Sequence, residues 1–341
     1  MNNLVFAAAA AAFIVAGGPA PARATSYTFQ DIINPDDPTF NQELGINNSG
    51  EIAGYFGSGM AGFPNKGYTT SPPYTSFTGE NFPGSVQTQV IGINDVGTTV
   101  GFWSNTNLGV GADSNFGFVD HGGVFTNVNN PNTPPLAPVF LNQLLGVNNS
   151  NIAVGFYVDA GGGTHGYTYN ITTNTFSANI DDPLGIGTTT AAAINNSGEI
   201  GGFYTNGANE TLGFIDDGGT FTTISVPGAT EVMVLGLNDN GYAAGTYTNA
   251  AGGMFGFLYD LNNGTYQTIS DPFGIGLTTI KGVNDRNQLV GFYTNGAGDT
   301  IGLLATPTPV PEPSSLLLLV SGFAGIGLAG YRASRRGAVV A

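Results

Sequence analysis

A twelve-residue motif occurs six times along the chain and limits the folds that the chain can adopt. Its most regular copy is GINNSGEIAGYF at residues 45–56, and in every copy an Asn lies seven residues before a Gly. These Asn residues recur about every 47 positions, at Asn47, Asn94, Asn148, Asn195, Asn238 and Asn284. Such a period indicates a repeat architecture, in which each unit is one supersecondary element that packs against its neighbours.

Four short strands are expected in each unit. One strand opens with a Gly-aromatic pair, and the next carries an aromatic residue eight to ten residues after that Gly. The other two strands run into and out of the motif, as in TTIKGVN (278–284) and EIGGFY (199–204). Short strands separated by Gly, Asn, Asp and Pro are typical of an all-β fold. The pairs are Gly67-Tyr68, Gly117-Phe118, Gly166-Tyr167, Gly213-Phe214 and Gly256-Phe257, and the later aromatics are Phe77, Phe125, Phe176, Phe221 and Tyr266.

The centre of the motif predicts a tight hairpin between the strands on either side of it. Asn and Asp hydrogen-bond the local backbone, and Gly adopts a positive φ without steric cost. The third and sixth copies have Asn151 and Asn287 where most others have Gly. Asn tolerates the same left-handed conformation, so the turn is expected to form in these copies as well.

A four-stranded unit of this length, repeated six times, predicts a six-bladed β-propeller over residues 25–306. The first unit starts with a strand at 26–29 and lacks its Gly-aromatic strand, while a spare strand follows the last unit at 301–305. Pairing of these N- and C-terminal strands would close the ring and leave no open sheet edge. An open β-solenoid is the alternative. The length of 341 residues suggests two domains, but the repeats favour one.

Composition excludes several classes of protein. The 54 Gly residues disfavour a helical bundle, and the absence of Cys excludes disulfides, a thiol nucleophile and a thiolate metal site. The chain has 23 acidic and 7 basic residues, for a net charge of −16. Residues 25–310 keep only Lys66, Lys281 and Arg286 as basic residues. Because such an acidic surface repels phosphate backbones, we expect no nucleic-acid partner.

The N-terminus, residues 1–24, is expected to be a secretory signal peptide. An apolar stretch at 4–18 is followed by PAPARA, in which Ala22 and Ala24 fit the small-x-small rule for cleavage after Ala24 by signal peptidase. The first three residues include no Lys or Arg. An uncleaved membrane anchor is therefore the alternative.

The C-terminus has three successive parts. A Pro-rich linker at 307–313 ends in Pro311-Glu312-Pro313, an uncharged segment follows at 314–331, and the chain then carries Arg332, Arg335 and Arg336. As a helix the uncharged segment would be about 27 Å long, which is close to the hydrocarbon thickness of a bilayer. The arginines would then lie in the cytoplasm and the repeats outside.

This order of parts, over residues 309–336, resembles the PEP-CTERM sorting signal of Gram-negative bacteria. The resemblance implies that an exosortase, a membrane cysteine transpeptidase, recognises Pro311, Glu312 and Pro313. It also implies that the transmembrane helix is a transient stop in the inner membrane, that the arginines lock it there, and that the mature chain ends near Glu312. An ordinary C-terminal anchor is the alternative.

The repeats themselves resemble HAF-type extracellular repeats of exported bacterial proteins. The resemblance covers roughly residues 40–306 and depends on the Gly-Ile-Asn motif and the Gly-aromatic strand. It implies an exported repeat protein without a shared enzymatic activity.

Few residues carry recognisable chemistry. His121 and His165 stand at different places in their units, and exposed turn positions are expected for both. The acidic pairs Asp36-Asp37, Asp181-Asp182 and Asp216-Asp217 lie beside Pro or Gly, where solvated turn residues are commoner than a catalytic pair. Such oxygens could also bind calcium. No ordered calcium-binding loop is present in the sequence, however, and no cofactor is expected. The recurring aromatics, including Phe102-Trp103, are expected to pack between blades, with carbohydrate stacking as the alternative.

These observations predict a non-enzymatic protein of the cell surface or extracellular matrix. The resemblance to PEP-CTERM proteins implies a link with exopolysaccharide and biofilm, so a glycan is the expected partner. The alternative is a secreted carbohydrate-active enzyme that uses the funnel of the propeller.

Overall fold

The computed structural model describes residues 26–109, 111–134 and 139–308. Within them Tyr27–Pro307 holds every strand, and no helix occurs. The signal peptide (1–24, with Ala22 and Ala24) and the sorting signal (309–336) lie outside the described residues. No helix in the described residues is long and apolar enough to cross a membrane.

The strands form successive antiparallel sets of four, each in chain order. The chain begins with β1 (Tyr27–Ile32). Sets 1 to 3 are β2 (Asn41–Ile46), β3 (Ile52–Phe56), β4 (Lys66–Thr70) and β5 (Phe77–Gly79); β6 (Gln87–Ile93), β7 (Thr98–Ser104), β8 (Phe116–His121) and β9 (Val124–Val128); and β10 (Asn142–Val147), β11 (Ile152–Val158), β12 (Thr164–Asn170) and β13 (Thr175–Phe176).

The second half of the chain repeats this arrangement. Sets 4 to 6 are β14 (Thr190–Ile194), β15 (Ile200–Thr205), β16 (Thr211–Asp217) and β17 (Thr220–Ile224); β18 (Ala229–Leu237), β19 (Tyr242–Asn249), β20 (Met254–Asp260) and β21 (Thr265–Ile269); and β22 (Thr278–Val283), β23 (Leu289–Thr294) and β24 (Thr300–Pro307), completed by β1. Sets 4 and 5 are joined by a single parallel bridge, Thr211 to Glu231. The all-β class and the four-stranded antiparallel sheets are thus confirmed.

The two ends of the strand array meet in set 6. β1 pairs antiparallel with β24 from Tyr27–Pro307 to Ile32–Gly302. The sequence predicts this pairing, because the first unit lacks one strand and a spare strand follows the last unit. The pairing does not fit an open β-solenoid, whose two ends would stay apart.

Each set starts with the strand that runs into the motif, which we call the inner strand: β2, β6, β10, β14, β18 and β22. In every set the register between the inner strand and its neighbour shifts, as between Glu43 and Gly45. The shift is a β-bulge, which leaves one residue unpaired and redirects its side chain.

The bulge explains the invariant Gly seven residues after each motif Asn. A Cβ on Gly155 would lie 1.9 Å from the carbonyl oxygen of Gln143. The equivalent glycines of the other sets, Gly54, Gly101, Gly202, Gly245 and Gly291, would meet the equivalent oxygen at 1.9–2.4 Å. No side chain fits there, so the repeated Gly follows from the close approach of two strands.

The core lies between successive sets. Val154 of set 3 packs in one cluster with Ala191, Tyr204 and Phe214 of set 4. The aromatic residues of the Gly-aromatic pairs, Tyr68, Phe118, Tyr167, Phe214 and Phe257, are buried. Their expected packing role is confirmed, and burial of side chains of this size stabilises the fold by about 2–3 kcal/mol each.

Candidate functional site

The motif Asn residues form a closed ring of hydrogen bonds around one end of a central channel. In each case the side-chain Nδ2 donates to the main-chain oxygen of the next Asn. The ring runs Asn47 to Asn94 (3.2 Å), Asn148 (2.9 Å), Asn195 (3.1 Å), Asn238 (3.3 Å), Asn284 (3.0 Å) and back to Asn47 (3.1 Å). One residue type therefore links all the sets.

The same side chains also form the hairpins. Oδ1 of Asn94 accepts hydrogen bonds from the backbone N–H groups of Val96 (3.2 Å) and Thr98 (2.9 Å). Because every other motif Asn makes the same two bonds, the turn and the contact between sets depend on one amide. Asn151 and Asn287 have φ of 57° and 55°, which confirms that Asn replaces Gly in the left-handed position.

A second ring follows one residue later in the motif. The backbone N–H of each residue donates to Oδ1 of its counterpart in the next set, at 2.7–2.9 Å. Its members are Asn48, Asp95, Asn149, Asn196, Asp239 and Asp285. Their side-chain oxygens are largely engaged by these bonds, so this end, which we call the Asn end, is a structural closure.

The bulged residues line the channel below the Asn end. They are Leu44, Ile91, Leu145, Ala192, Leu235 and Lys281. In five sets the channel wall is aliphatic, whereas set 6 contributes a lysine.

The opposite end of the channel opens into a cavity of about 470 Å³, which we call the amide cavity. Its polar lining includes Gln42, Gln89 and Gln143, which occupy the same position of the inner strands of sets 1, 2 and 3. Sets 4, 5 and 6 have Thr190, Met233 and Thr279 there, and none of these lines the cavity.

Neighbouring side chains hold the three glutamines in place. Tyr55 donates to Oε1 of Gln42 at 2.7 Å. Nε2 of Gln89 donates to Asn65, and Nε2 of Gln143 donates to Asn115, both at 2.7 Å. Each amide keeps further donor or acceptor capacity for a ligand in the cavity.

Aromatic rings form the apolar part of the wall. Phe102 and Trp103 both line the cavity. The Trp103 ring stacks on Phe82, with centroids 4.4 Å apart and planes 1° apart, and its Nε1 donates to Asn127. Trp103 packs against a cluster that joins sets 1 and 2, as expected, and it also lines the cavity. Carbohydrate stacking stays a prediction.

The acidic pairs are not all the solvated turn residues that the sequence predicts, because Asp182 and Asp216 are buried and Asp216-Asp217 end strand β16. Oδ1 of Asp37 accepts from Thr39, that of Asp182 accepts from the backbone of Leu184, and that of Asp216 accepts from the backbone of Gly219. In each pair the two neighbouring carboxylates are not joined by any hydrogen bond. The backbone N–H of Asp36 donates to Oδ1 of Asn34, and Asp217 is the last residue of β16.

The histidines lie in different surroundings. His121 is exposed at the end of β8 and is within 3.0 Å of the Thr98 hydroxyl. His165 is not the exposed turn residue that the sequence predicts, because it lies in β12 and its side chain is only 12% exposed. It contacts Asp181 at 3.0 Å and Asp159 at 3.3 Å. Sequence spacing could not show this cluster, since the three residues come from a strand and two separate loops.

Metal ligands are not gathered in the part of the chain that the structure describes, where no group of three or more acidic or His side chains could hold a metal ion. Calcium stays an untested alternative.

Two ionisable residues of the inner strands, Glu43 and Lys281, stand where the other sets have aliphatic residues. Glu43 replaces the aliphatic residue found at this position in the other inner strands, such as Val90. Burial raises the pKa of Glu43 to about 8, against the opposing effect of the hydrogen bond that Tyr68 donates to Oε1. Its Oε2 is buried without a hydrogen-bond partner among the described residues. Burial also lowers the pKa of Lys281 to about 8.

No protein-family model matches the sequence, and no curated protein matches it. Solved structures do. A TolB-type protein from Agrobacterium tumefaciens is 12% identical, with 80% of this chain and 92% of that chain covered and a TM-score of 0.53. TolB from Acinetobacter baumannii is 10% identical, with 71% of this chain covered and a TM-score of 0.50; the chain spans 60% of its length. The β-propeller domain of the Trilobed protease from Pyrococcus furiosus is 10% identical, with coverage of 80% and 100% and a TM-score of 0.47.

The chain has a β-propeller fold. Four-stranded antiparallel sheets around a central channel define this architecture. At these identities the likeness concerns the fold alone. The amide cavity was not predicted from the sequence, although its signal is present there: Gln stands five residues before the motif Asn in the first three units only.

Proposed function

We propose that the protein is an exported, non-enzymatic protein of the cell surface or extracellular matrix that binds a polysaccharide segment in the amide cavity. The scaffold would be a closed propeller of six blades, one for each motif. The hydrogen-bond ring that returns from Asn284 to Asn47 supports this closure.

The single observation that carries the binding proposal is the composition of the amide cavity. Four glutamines, three of them at equivalent positions, and several aromatic rings converge there from sets 1 to 3. Sugar rings present hydroxyl groups that amides hydrogen-bond, and apolar C–H faces that stack on aromatic rings. A cavity of a few hundred Å³ with few, well-placed polar groups is typical of a small-ligand site.

Export and sorting form the second part of the proposal. Signal peptidase would cleave after Ala24, and an exosortase would process the chain near Pro311-Glu312-Pro313. The segment 314–331 would be a transient helix in the inner membrane of a Gram-negative bacterium, with Arg332, Arg335 and Arg336 on the cytoplasmic side. The support is the order of these parts in the sequence.

The mass of the intact protein from its native host tests the sorting proposal. We expect a chain that starts at Thr25 and ends near Glu312. A mass that still includes residues 316–341 would contradict the processing step.

A glycan array with matched variants tests the binding proposal. Gln89→Thr introduces the residue that sets 4 and 6 have, so the fold should persist. The loss of one hydrogen-bonding amide should weaken glycan binding about tenfold. Thr190→Ala changes the equivalent position outside the cavity and should leave binding unchanged. Equal binding by wild type and Gln89→Thr would exclude the amide cavity as the site.

The alternative of a carbohydrate-active enzyme gains one observation, the contact of His165 with Asp159 and Asp181. A depolymerisation assay on polysaccharides that the array identifies separates the two functions. We expect no cleavage by the wild type. Cleavage that Asp181→Ala abolishes would favour the enzyme.

A further inference from the structure

The channel wall has one residue that departs from the pattern of the other sets. Five bulged residues are aliphatic, as at Leu145 and Leu235, whereas the sixth is Lys281. A bulge redirects its extra side chain, and here that side chain faces the channel axis. Lys281 therefore brings an ammonium group to the wall of the channel.

No described residue forms an ion pair with this ammonium group, although Asp95, Asp239 and Asp285 line the adjoining Asn end of the channel. Both ion pairs of the described residues involve His165, and no hydrogen bond from Nζ of Lys281 to a described residue is formed. By contrast, Nζ of Lys66 donates to the main-chain oxygen of Val86 at 2.8 Å. An ammonium group that is partly removed from water without a partner is destabilising, and an anion beside it would relieve that cost.

The inner strands of sets 1 to 3 line both the channel and the amide cavity. Gln143 lines the cavity and Leu145, two residues further along β10, lines the channel. Two residues of a strand span about 7 Å, which is close to the size of one sugar unit. The space in the channel is about 90 Å³, against about 30 Å³ for one water molecule, so a carboxylate group can be accommodated.

We propose that Lys281 makes the channel a binding site for a carboxylate group, so that the protein prefers glycans that contain sugar acids. The site itself requires only a carboxylate and the channel. The preference for acidic glycans rests on the glycan binding proposed above. The overall acidity of the chain repels anions at long range, and a short-range contact with an ammonium group provides the compensating attraction.

The first experiment observes the two lysines of the chain, Lys66 and Lys281, after reductive methylation with ¹³C-formaldehyde, which preserves their charge. NMR spectra at pH 7 are recorded during titration with glucuronate, acetate and glucose. We expect a saturable shift of the Lys281 resonance with glucuronate and acetate, none with glucose, and no comparable change at Lys66. No shift at Lys281, or an equal shift at Lys66, would overturn the proposal.

The second experiment compares binding of uronate-containing and neutral oligosaccharides by calorimetry. Lys281→Leu introduces the residue that Leu235 provides in set 5, and it should reduce binding of the acidic oligosaccharide about tenfold or more while the neutral one is unaffected. Lys281→Arg keeps the charge and should retain the preference. Unchanged preference in a folded Lys281→Leu protein would overturn the proposal.

The two experiments also separate this inference from the proposed function. If the protein binds no oligosaccharide and the Lys281 resonance still shifts with acetate and glucuronate, the carboxylate site is supported and the glycan proposal fails. If neutral glycans bind in the amide cavity and the Lys281 resonance does not shift, the glycan proposal is supported and the carboxylate site is excluded.

Discussion

The two ends of the central channel are built in opposite ways. At the Asn end, all the sets contribute the same amide in the same hydrogen bond, and the ring closes on itself. At the amide cavity, three sets contribute Gln and aromatic residues and the other three do not. The repeated residues therefore build the frame, by which we mean the six sets and the rings of the Asn end. The residues that differ between sets build the candidate site.

The largest expected effect concerns the bulge between the two ends. Gly155→Ala would place a Cβ 1.9 Å from the carbonyl oxygen of Gln143, so the strands must separate. We expect the free energy of unfolding to fall by about 3–5 kcal/mol. Gly207→Ala is the matched control, because nothing lies within 4 Å of its Cβ position. Urea denaturation measures both, and a similar loss in the two variants would contradict the role given to the bulge.

The second prediction concerns the Asn end. Asn94→Ala removes a bond to Asn148 and leaves the backbone N–H groups of Val96 and Thr98 without their acceptor. The free energy of unfolding should fall by about 2–4 kcal/mol.

Two further variants sharpen this result. Asn94→Asp keeps a side-chain oxygen that accepts from Val96 and Thr98, and it loses the Nδ2 group that donates to Asn148. It therefore separates the role of Asn94 in the turn from its role in the contact between sets. Asn149→Ala changes the exposed second ring and should cost about 1 kcal/mol or less. If Asn149→Ala destabilised the protein as much as Asn94→Ala, the ring of motif Asn residues would not contribute more than the second ring to holding the sets together.

The third prediction concerns pH and the buried Glu43 of β2, whose carboxyl group accepts a hydrogen bond from Tyr68. The pKa of Glu43 is raised to about 8 in the folded protein from 4.5. Between pH 4.5 and pH 8 Glu43 is protonated in the folded protein and ionised in the unfolded protein. The contribution of protonated Glu43 to the free energy of unfolding is therefore complete below pH 4.5 and is lost as the pH rises through 8.

Glu43→Gln removes this dependence and keeps an acceptor for the Tyr68 hydroxyl. Relative to this variant, the wild type should lose about 4 kcal/mol between pH 5 and pH 9 in urea denaturation. Glu231→Gln, at an exposed position, should show the pH profile of the wild type. Parallel profiles for wild type and Glu43→Gln would contradict the burial effect.

The smallest expected effect on stability is at the amide cavity itself. Gln143→Thr reproduces the residue of sets 4 and 6, so the free energy of unfolding should change by less than about 0.5 kcal/mol. Glycan affinity should fall about tenfold in the same variant. A stability loss as large as that of Asn94→Ala would mean that the cavity belongs to the frame.

Much of the frame could be predicted from the sequence because it depends on local rules. The hairpin at Asn94 follows from the hydrogen bonds that Asn makes to its own turn, and the left-handed residues Asn151 and Asn287 follow from the steric tolerance of Asn. The pairing of β1 with β24 could be predicted from a simple count of strands.

The candidate site could not be predicted in the same way. Gln42, Gln89 and Gln143 are about 50 residues apart and ordinary in isolation. His165 and Asp181 come together only because a loop returns to the start of β12. Nothing in local sequence indicates these contacts.

The sequence by itself determined the strands, their turns and the order of the sets, since each of these depends on the chemistry of neighbouring residues. Only the tertiary structure decided that the motif Asn residues form one ring, that Gln42, Gln89 and Gln143 share a cavity, and that Lys281 faces the channel. The physical reason is that ring closure converts positions distant in the chain into neighbours, and the bulge decides which side chain of each inner strand faces the axis.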